Sequence, residues 1–268
     1  MRPFRFLRTR PLRLSLFLLA GVIALPLLIR LLGRVFFPLP TGRLFPPPSI
    51  MVLDRKERPL RIFISSDEKW RIPASLSEVS PRLVKAVVTV EDRWFRCHFG
   101  VNPLSLARAT YTNFKAGRVV SGGSTLTMQV ARMMEPKPRT LRSKLIEILR
   151  AIQLEATFSK DEILGLYFNL APYGGNIEGS AAASYFYFNK NQKDLSLGEA
   201  ALLASIPNSP EAHRPDAQTV EPQCSSAQGR EKVLRRLLRR GVISEKELDE
   251  ALSEPLPTRR FPLPLAAP

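Results

Sequence analysis

The first pattern along the chain is an apolar run with a basic front. Leu14 to Ile29 carries no charge and is rich in Leu, Ile, Val and Phe; the stretch from Arg30 to Phe37 stays apolar apart from two arginines. A helix that crosses the hydrocarbon core needs about 20 residues. Arg30 can snorkel to the interface, so residues 14–36 read as a transmembrane anchor. Pro26 is tolerated in such a helix. Arg2, Arg5, Arg8, Arg10 and Arg13 precede the run. By the positive-inside rule residues 1–13 are a cytoplasmic tail and the remainder lies outside the cytoplasmic membrane. A cleaved signal peptide has the same charge polarity, but LLGRVFF follows where a small-x-small site belongs.

After the apolar run, PLPTGRLFPPPS cannot continue a helix and reads as an extended spacer. Ser49 to Leu53 and Leu60 to Ser65 are β-rich runs around the charged turn DRKERP, which predicts a hairpin. Residues 37–72 thus form a spacer and hairpin. From Ser80 the period becomes helical. Ser80-Pro81 and Asn102-Pro103 are helix starts. Ser159 with Glu162, Ser196 with Glu199 and Ser244 with Glu247 fit the capping box. Five to seven helices are expected between Ser80 and Leu252, a mainly α fold. Residues 216–252 read as C-terminal helices, and the Pro-rich residues 253–268 as a linker with no transpeptidase domain after it.

Composition narrows the classes. Hydrophobic residues are 44% of the 268, enough for a core. Lys and Arg number 40 against 24 Asp and Glu, a formal charge of +16. No acidic residue precedes Asp54, and eight arginines do, so half of the excess belongs to the N-terminal segment. That juxtamembrane placement argues against nucleic-acid binding. Two cysteines, Cys97 and Cys224, cannot make a disulfide scaffold, and two histidines, His98 and His213, do not suit a His-rich zinc site.

Four segments could carry chemistry. In EDRWFRCHFG, residues 91–100, Glu91 follows Val84, Val87 and Val88 at helical spacing, with Phe95 beyond it. On that face a carboxylate is paired or has a raised pKa, which suits a general base or acid. The alternative is a helix that ends before Glu91 and leaves it in solvent. SGGSTLTMQ, residues 121–129, has glycines and hydroxyls opening a helix, where free N–H groups could hold an anion. It lacks the Lys of a P-loop. RTLRSKLIEILRAIQLE, residues 139–155, is apolar on most sides and is expected to be largely buried. There Glu147 lies one turn from Lys144 and Arg150, spaced for a helical ion pair. The fourth segment runs from Leu164 through APYGGN to the aromatic run at 185–188, more core than sugar platform.

In this order the segments resemble the five motifs of the peptidoglycan glycosyltransferases, glycosyltransferase family 51. EDRWFRCHFG is similar to E-D-x-x-F-x-x-H-x-G. GGSTLTMQ is similar to G-x-S-T-hydrophobic-T-Q-Q, with Met128 in place of a Gln. SKLIE is similar to R-K-x-x-E, with Ser143 in place of Arg. KDEILGLYFN, residues 160–169, resembles the fourth motif. GSAAASYFYFNK, residues 179–190, resembles the fifth, with Asn189 at a usual Gly. The resemblance spans about residues 75–215, with the domain itself at 73–215. Ser66-x-x-Lys69 has the spacing of a penicillin-binding motif, but no Lys-Thr-Gly accompanies it, and it reads as chance.

The resemblance implies a lysozyme-like, mainly α glycosyltransferase domain with a small membrane-proximal jaw subdomain. It implies a periplasmic enzyme on the bacterial inner membrane that polymerises lipid II. Glu91 matches the general base and Glu147 the second carboxylate, which assists pyrophosphate departure directly or through a divalent metal, Mg or Mn. Arg132, Lys144 and Lys190 match cations for the diphosphate. Asp92, Phe95, His98, Ser124, Thr125, Gln129 and Ser184 match other active-site positions. No organic cofactor is implied. The partners implied are lipid II, the growing glycan strand, the cytoplasmic membrane and other cell-wall synthesis proteins. Residues 114–120 and Met133-Met134 are candidates for an apolar jaw surface. Rival readings are a lytic enzyme of lysozyme-like fold and an anchored scaffold without turnover.

Overall fold

Helices begin where an oxygen-bearing side chain satisfies the open N–H groups of a first turn. The computed structural model describes residues 37–56, 59–118, 122–216 and 226–262. The expected cytoplasmic tail and anchor, together with Ser121 and Cys224, lie outside the described residues. Among these, ten α-helices follow in order: α1 (Pro81–Glu91), α2 (Pro103–Ala116), α3 (Leu126–Met134), α4 (Leu141–Thr157), α5 (Lys160–Leu170), α6 (Ser180–Phe188), α7 (Leu197–Ser205), α8 (Pro210–His213), α9 (Ser226–Arg239) and α10 (Glu245–Ser253). The count exceeds five to seven because Gly and Pro breaks divide the chain finely, and α8 is a single turn.

The boxes of Ser159 with Glu162, Ser196 with Glu199 and Ser244 with Glu247 all close. A fourth, Ser75 with Glu78, opens a 3₁₀ turn that the pattern did not disclose. Asn102 accepts from Ser105 N–H at the head of α2. Ser80 sits at the cap position before Pro81 without a side-chain cap bond.

The hairpin forms as expected. Strand β1 (Ile50–Leu53) pairs antiparallel with β2 (Pro59–Phe63), Ile50 opposite Phe63, with a shift between Val52 and Leu53. A second small sheet pairs β3 (Trp70–Arg71) parallel to β4 (Ile177–Glu178). Arg71 locks it: buried, it donates to Glu178 and to both oxygens of Asp67.

The core is built around α7. Ala200, Ala201, Leu202, Leu203 and Ala204 are buried there, and α7 packs on α1 and α9. Helix α3 packs on α4 and α5. Phe186 and Tyr187 are core, as the aromatic run suggested, and Tyr187 Oη donates to the Tyr173 carbonyl.

Several expectations are corrected. Helix α1 ends at Glu91, and Phe95 lies on a separate 3₁₀ turn, Phe95–Cys97, fully buried. The apolar stripe therefore does not run on through Glu91 to Phe95. Helix α4 is not largely buried: Leu141, Leu145 and Leu149 are 88%, 62% and 47% exposed, while Arg150 and Gln153 are buried. Its buried face mixes Ala151 and Leu154 with these two polar residues, which hold main chain. Arg150 Nη1 donates to the carbonyls of Phe37 and Pro38, and its guanidinium lies 3.6 Å from the Phe37 ring centroid. Gln153 Nε2 donates to the same Phe37 carbonyl. Arg150 also pairs with Glu135, not with Glu147. Met134 is buried and offers no jaw surface, and Met133 is partly buried against the core. The beginning of the Pro-rich tail is fastened rather than free: Phe261 N–H donates to the Phe186 carbonyl, and Arg260 pairs with Asp216. No helix among the described residues is long and apolar enough to cross a membrane.

Candidate active site

Glu91 is the last residue of α1, where the helix no longer surrounds a side chain with its own turns. Both carboxylate oxygens are held from elsewhere. Gln129 Nε2, on α3, donates to Oε2 at 2.8 Å. Asn208 Nδ2 donates to Oε1 at 2.6 Å. The helix end thus leaves Glu91 half-buried, and among the described residues its hydrogen bonds come from two neutral amides.

The next residue turns inward. Asp92 is buried, and its Oδ2 accepts from Leu126 N–H at the head of α3 and from His98 Nε2 at 2.9 Å. The anion bound at that helix N-terminus is therefore the protein's own Asp92. Thr125 takes a second N–H, accepting from Met128, while its hydroxyl donates to the Gly100 carbonyl at 2.6 Å. Two of the N–H groups expected to be free there are thus used internally. Phe95 wedges beneath the segment, with the Lys160 ammonium 4.5 Å from its ring centroid. Lys160 also bonds the His98 carbonyl and the buried Glu155.

Glu147, on α4, is held by cations. Arg132 Nε donates to Oε1 at 2.7 Å and Lys144 Nζ to Oε2 at 2.9 Å. Both cations also donate to Ser124 Oγ. Burial pushes the Glu147 carboxyl up, but the hydrogen bonds and charges of Arg132 and Lys144 outweigh it and hold it below the ordinary carboxylate value. Gln129 and Arg132 sit one turn apart on α3, so that helix touches both carboxylates.

A cleft of 580 Å³ opens beside Glu91, lined also by Ser124, Thr125, Arg108, Arg236 and Arg240. Burial lowers the Arg236 pKa, offset by the pull of Glu91 and reinforced by Arg240, Arg108 and Arg239. Asn208, Arg236 and Arg240 escaped the sequence reading, since no local spacing links them to Glu91.

The remaining candidates stand elsewhere. Ser184 is fully buried and donates to the Lys190 carbonyl. Lys190 Nζ pairs with Glu199 in the first turn of α7. Their bonds serve this separate network rather than Glu91 or Glu147. The three departures from the motif pattern have local explanations. Met128 points into the core, fully buried. Ser143 closes the α4 cap with Thr140. Asn189 adopts φ +52°, a left-handed conformation that Asn accepts more readily than most residues. Among the described residues no group of three or more His, Cys, Asp or Glu could hold a metal.

The family described as Transglycosylase matches residues 56–238. The chain belongs to this family, the one whose motifs its sequence resembles. It is 44% identical over 221 residues to penicillin-binding protein 1C of Escherichia coli (strain K12), covering 82% of this chain and 28% of that protein. It is 37% identical over 216 residues to penicillin-binding protein 1A of Aquifex aeolicus (strain VF5), covering 80% and 29%. The chain thus spans under a third of the length of these relatives. A crystal structure of penicillin-binding protein 1A from Haemophilus influenzae aligns over 81% of this chain and 22% of that one, with a TM-score of 0.45 and 22% identity.

Proposed function

We propose that this chain polymerises lipid II into β-1,4-linked glycan strands and releases undecaprenyl pyrophosphate. The observation that carries the reading is the opposite treatment of two carboxylates. Glu91 is bonded by neutral amides and faces the cleft, while Glu147 is bonded by two cations that keep it ionised. Two environments give two roles.

In the step proposed, the acceptor sugar 4-hydroxyl oxygen bonds to C1 of the lipid-linked donor as the C1–oxygen bond to diphosphate breaks. Glu91 takes the hydroxyl proton. A single displacement inverts C1. Arg132 and Lys144, preset around Ser124 and Glu147, neutralise the departing diphosphate. Glu147 keeps those cations in place when no substrate is bound. A divalent ion near Glu147 would meet one carboxylate already facing two cations. The residues present do not by themselves fit a protein-held metal, and no step here runs through one.

The membrane setting belongs to the same proposal. A lipid-linked substrate needs a membrane-held enzyme, and residues 14–36 have an anchor's pattern. The exposed leucines of α4, with Leu104, Tyr111 and Phe114 of α2, supply apolar surface for a jaw in the outer leaflet, within a lysozyme-like domain. A lytic reaction would need a carboxylic acid to protonate the leaving sugar. Glu147, held below the ordinary value, does not suit that part.

The test is lipid II polymerisation by the detergent-purified chain beside Glu91→Gln, with digestion of isolated sacculi in parallel. Polymer from the parent and none from the variant supports the reading. Sacculi digested with no polymer formed would replace it with the lytic one, and lipid II bound but unchanged by the parent would replace it with a scaffold.

A further inference from the structure

Glu91 has a mechanical problem that the chain solves at a distance. A side chain on the last residue of a helix lacks the following turn that would restrict its rotamers, and ordering it costs conformational entropy. Gln129 alone fixes one oxygen and leaves the carboxylate free to rotate about that contact. Asn208 Nδ2 engages the other oxygen at 2.6 Å, from a segment 117 residues further on. We propose that Asn208 is a positioning residue for Glu91: its amide and that of Gln129 clamp the carboxylate from two elements and hold it aimed into the cleft. The proposal rests on the reading of Glu91 as the proton acceptor.

The mounting of Asn208 suits this task. It ends the 3₁₀ turn Ile206–Asn208, whose Pro207 stiffens the backbone and whose Ile206 is fully buried. Ser209 N–H closes the turn onto the Ile206 carbonyl, and His213 Nδ1 bonds the Ser205 carbonyl beneath it. An exposed side chain therefore stands on a braced backbone, which is how a group is held in place while remaining within reach of substrate.

The chemistry of the clamp matters as much as its geometry. An amide donates without charge, so the clamp orients the carboxylate without adding a cation of its own; the charge that Glu91 feels comes instead from Arg236 on α9, in the same cleft. Each carboxylate oxygen has two lone-pair sites, and one amide on each leaves a site for an acceptor hydroxyl. The contrast is internal to the molecule: Glu147, the neighbouring carboxylate, is clamped by Arg132 and Lys144.

The experiment compares Asn208→Ala, Asn208→Gln and Asn208→Asp in the full chain. Lipid II kinetics are read together with ¹³C NMR of labelled glutamate carboxylates, the Glu91 signal being assigned by its loss in Glu91→Gln. In Asn208→Ala, kcat falls about tenfold with KM little changed, the result of losing orientation rather than binding. Asn208→Gln recovers part of the loss. Asn208→Asp sets a second carboxylate against Glu91, so the Glu91 signal titrates at higher pH and the acid limb of the rate profile moves with it. A parent-like kcat in Asn208→Ala, a KM effect without a kcat effect, or a Glu91 titration unmoved in Asn208→Asp would overturn the proposal. A parent that makes no polymer would instead defeat the functional reading, and the NMR arm would still decide the clamp.

Discussion

Gly100→Ala should damage the fold and the site together, while Gly117→Ala should be mild. Both glycines have positive φ, +79° and +63°. Alanine in that region costs about 1 kcal/mol. Gly117 closes α2 with nothing within 4 Å of an added Cβ, so that cost is the whole effect. At Gly100 the new Cβ would lie 2.7 Å from the Ala151 carbonyl oxygen and 2.9 Å from its carbon, both main chain of α4. Backbone cannot swing aside, and overpacking of this kind adds about 1–3 kcal/mol. The sum at Gly100 is on the order of 3 kcal/mol, against about 1 kcal/mol at Gly117. For a domain of this size each kcal/mol lowers Tm by about 2–4 °C. The separation between the variants is therefore measurable by thermal unfolding in one detergent buffer. Since Thr125 Oγ1 donates to the Gly100 carbonyl, lipid II turnover should fall beyond what unfolding explains. Equal Tm shifts for the two variants would refute the reasoning, because the Ala151 and Glu155 contacts are what distinguish them.

Other expectations follow from single contacts. Asp92→Ala removes the acceptor for Leu126 N–H and His98, and should lower stability by about 2 kcal/mol in urea unfolding, with Asp92→Asn losing less. Glu147 has a lowered folded pKa, so its stabilisation is full above the ordinary value of 4.5 and fades as pH falls through the lowered one. The Tm difference between parent and Glu147→Gln should be flat near neutrality and shrink below that value; a gap that stays constant into acid would contradict the assignment. Leu145→Glu with Leu149→Glu should leave Tm nearly unchanged, since both side chains are exposed, and lower turnover several-fold in lipid vesicles relative to detergent. Equal turnover in both media would remove the jaw surface from α4.

What could be read in advance depended on range. The capping boxes at Ser159, Ser196 and Ser244 are three-residue signals, and each closes as spacing predicted. Glu91 and Glu147 came from ordered motifs, and Lys144 from a one-turn spacing. Arg132, rather than Arg150, completes the Glu147 cluster because α3 crosses α4 there, which a single-helix pattern does not encode. The leucines at 141, 145 and 149 gave a burial signal because a stripe four residues apart looks the same whether it faces protein or not. Asn208 reaches Glu91, and Arg236 and Arg240 the cleft, only after α7 and α9 have packed, so no window around Glu91 contains them. Asp92 was placed in the site, but its use as a cap for α3 depends on a contact across 34 residues.

The main-chain grip of Arg150 and Gln153 gives α4 a consequence of its own. The chain arriving at Phe37 is pinned to the inner side of the same rod that carries Glu147 on one turn and bare leucines along its outer side. A body tied at Phe37 and Pro38 by two side chains one turn apart on a single helix resists swivelling about that tie. Whatever load comes through residue 37 is delivered to the helix bearing Glu147, without an intervening hinge.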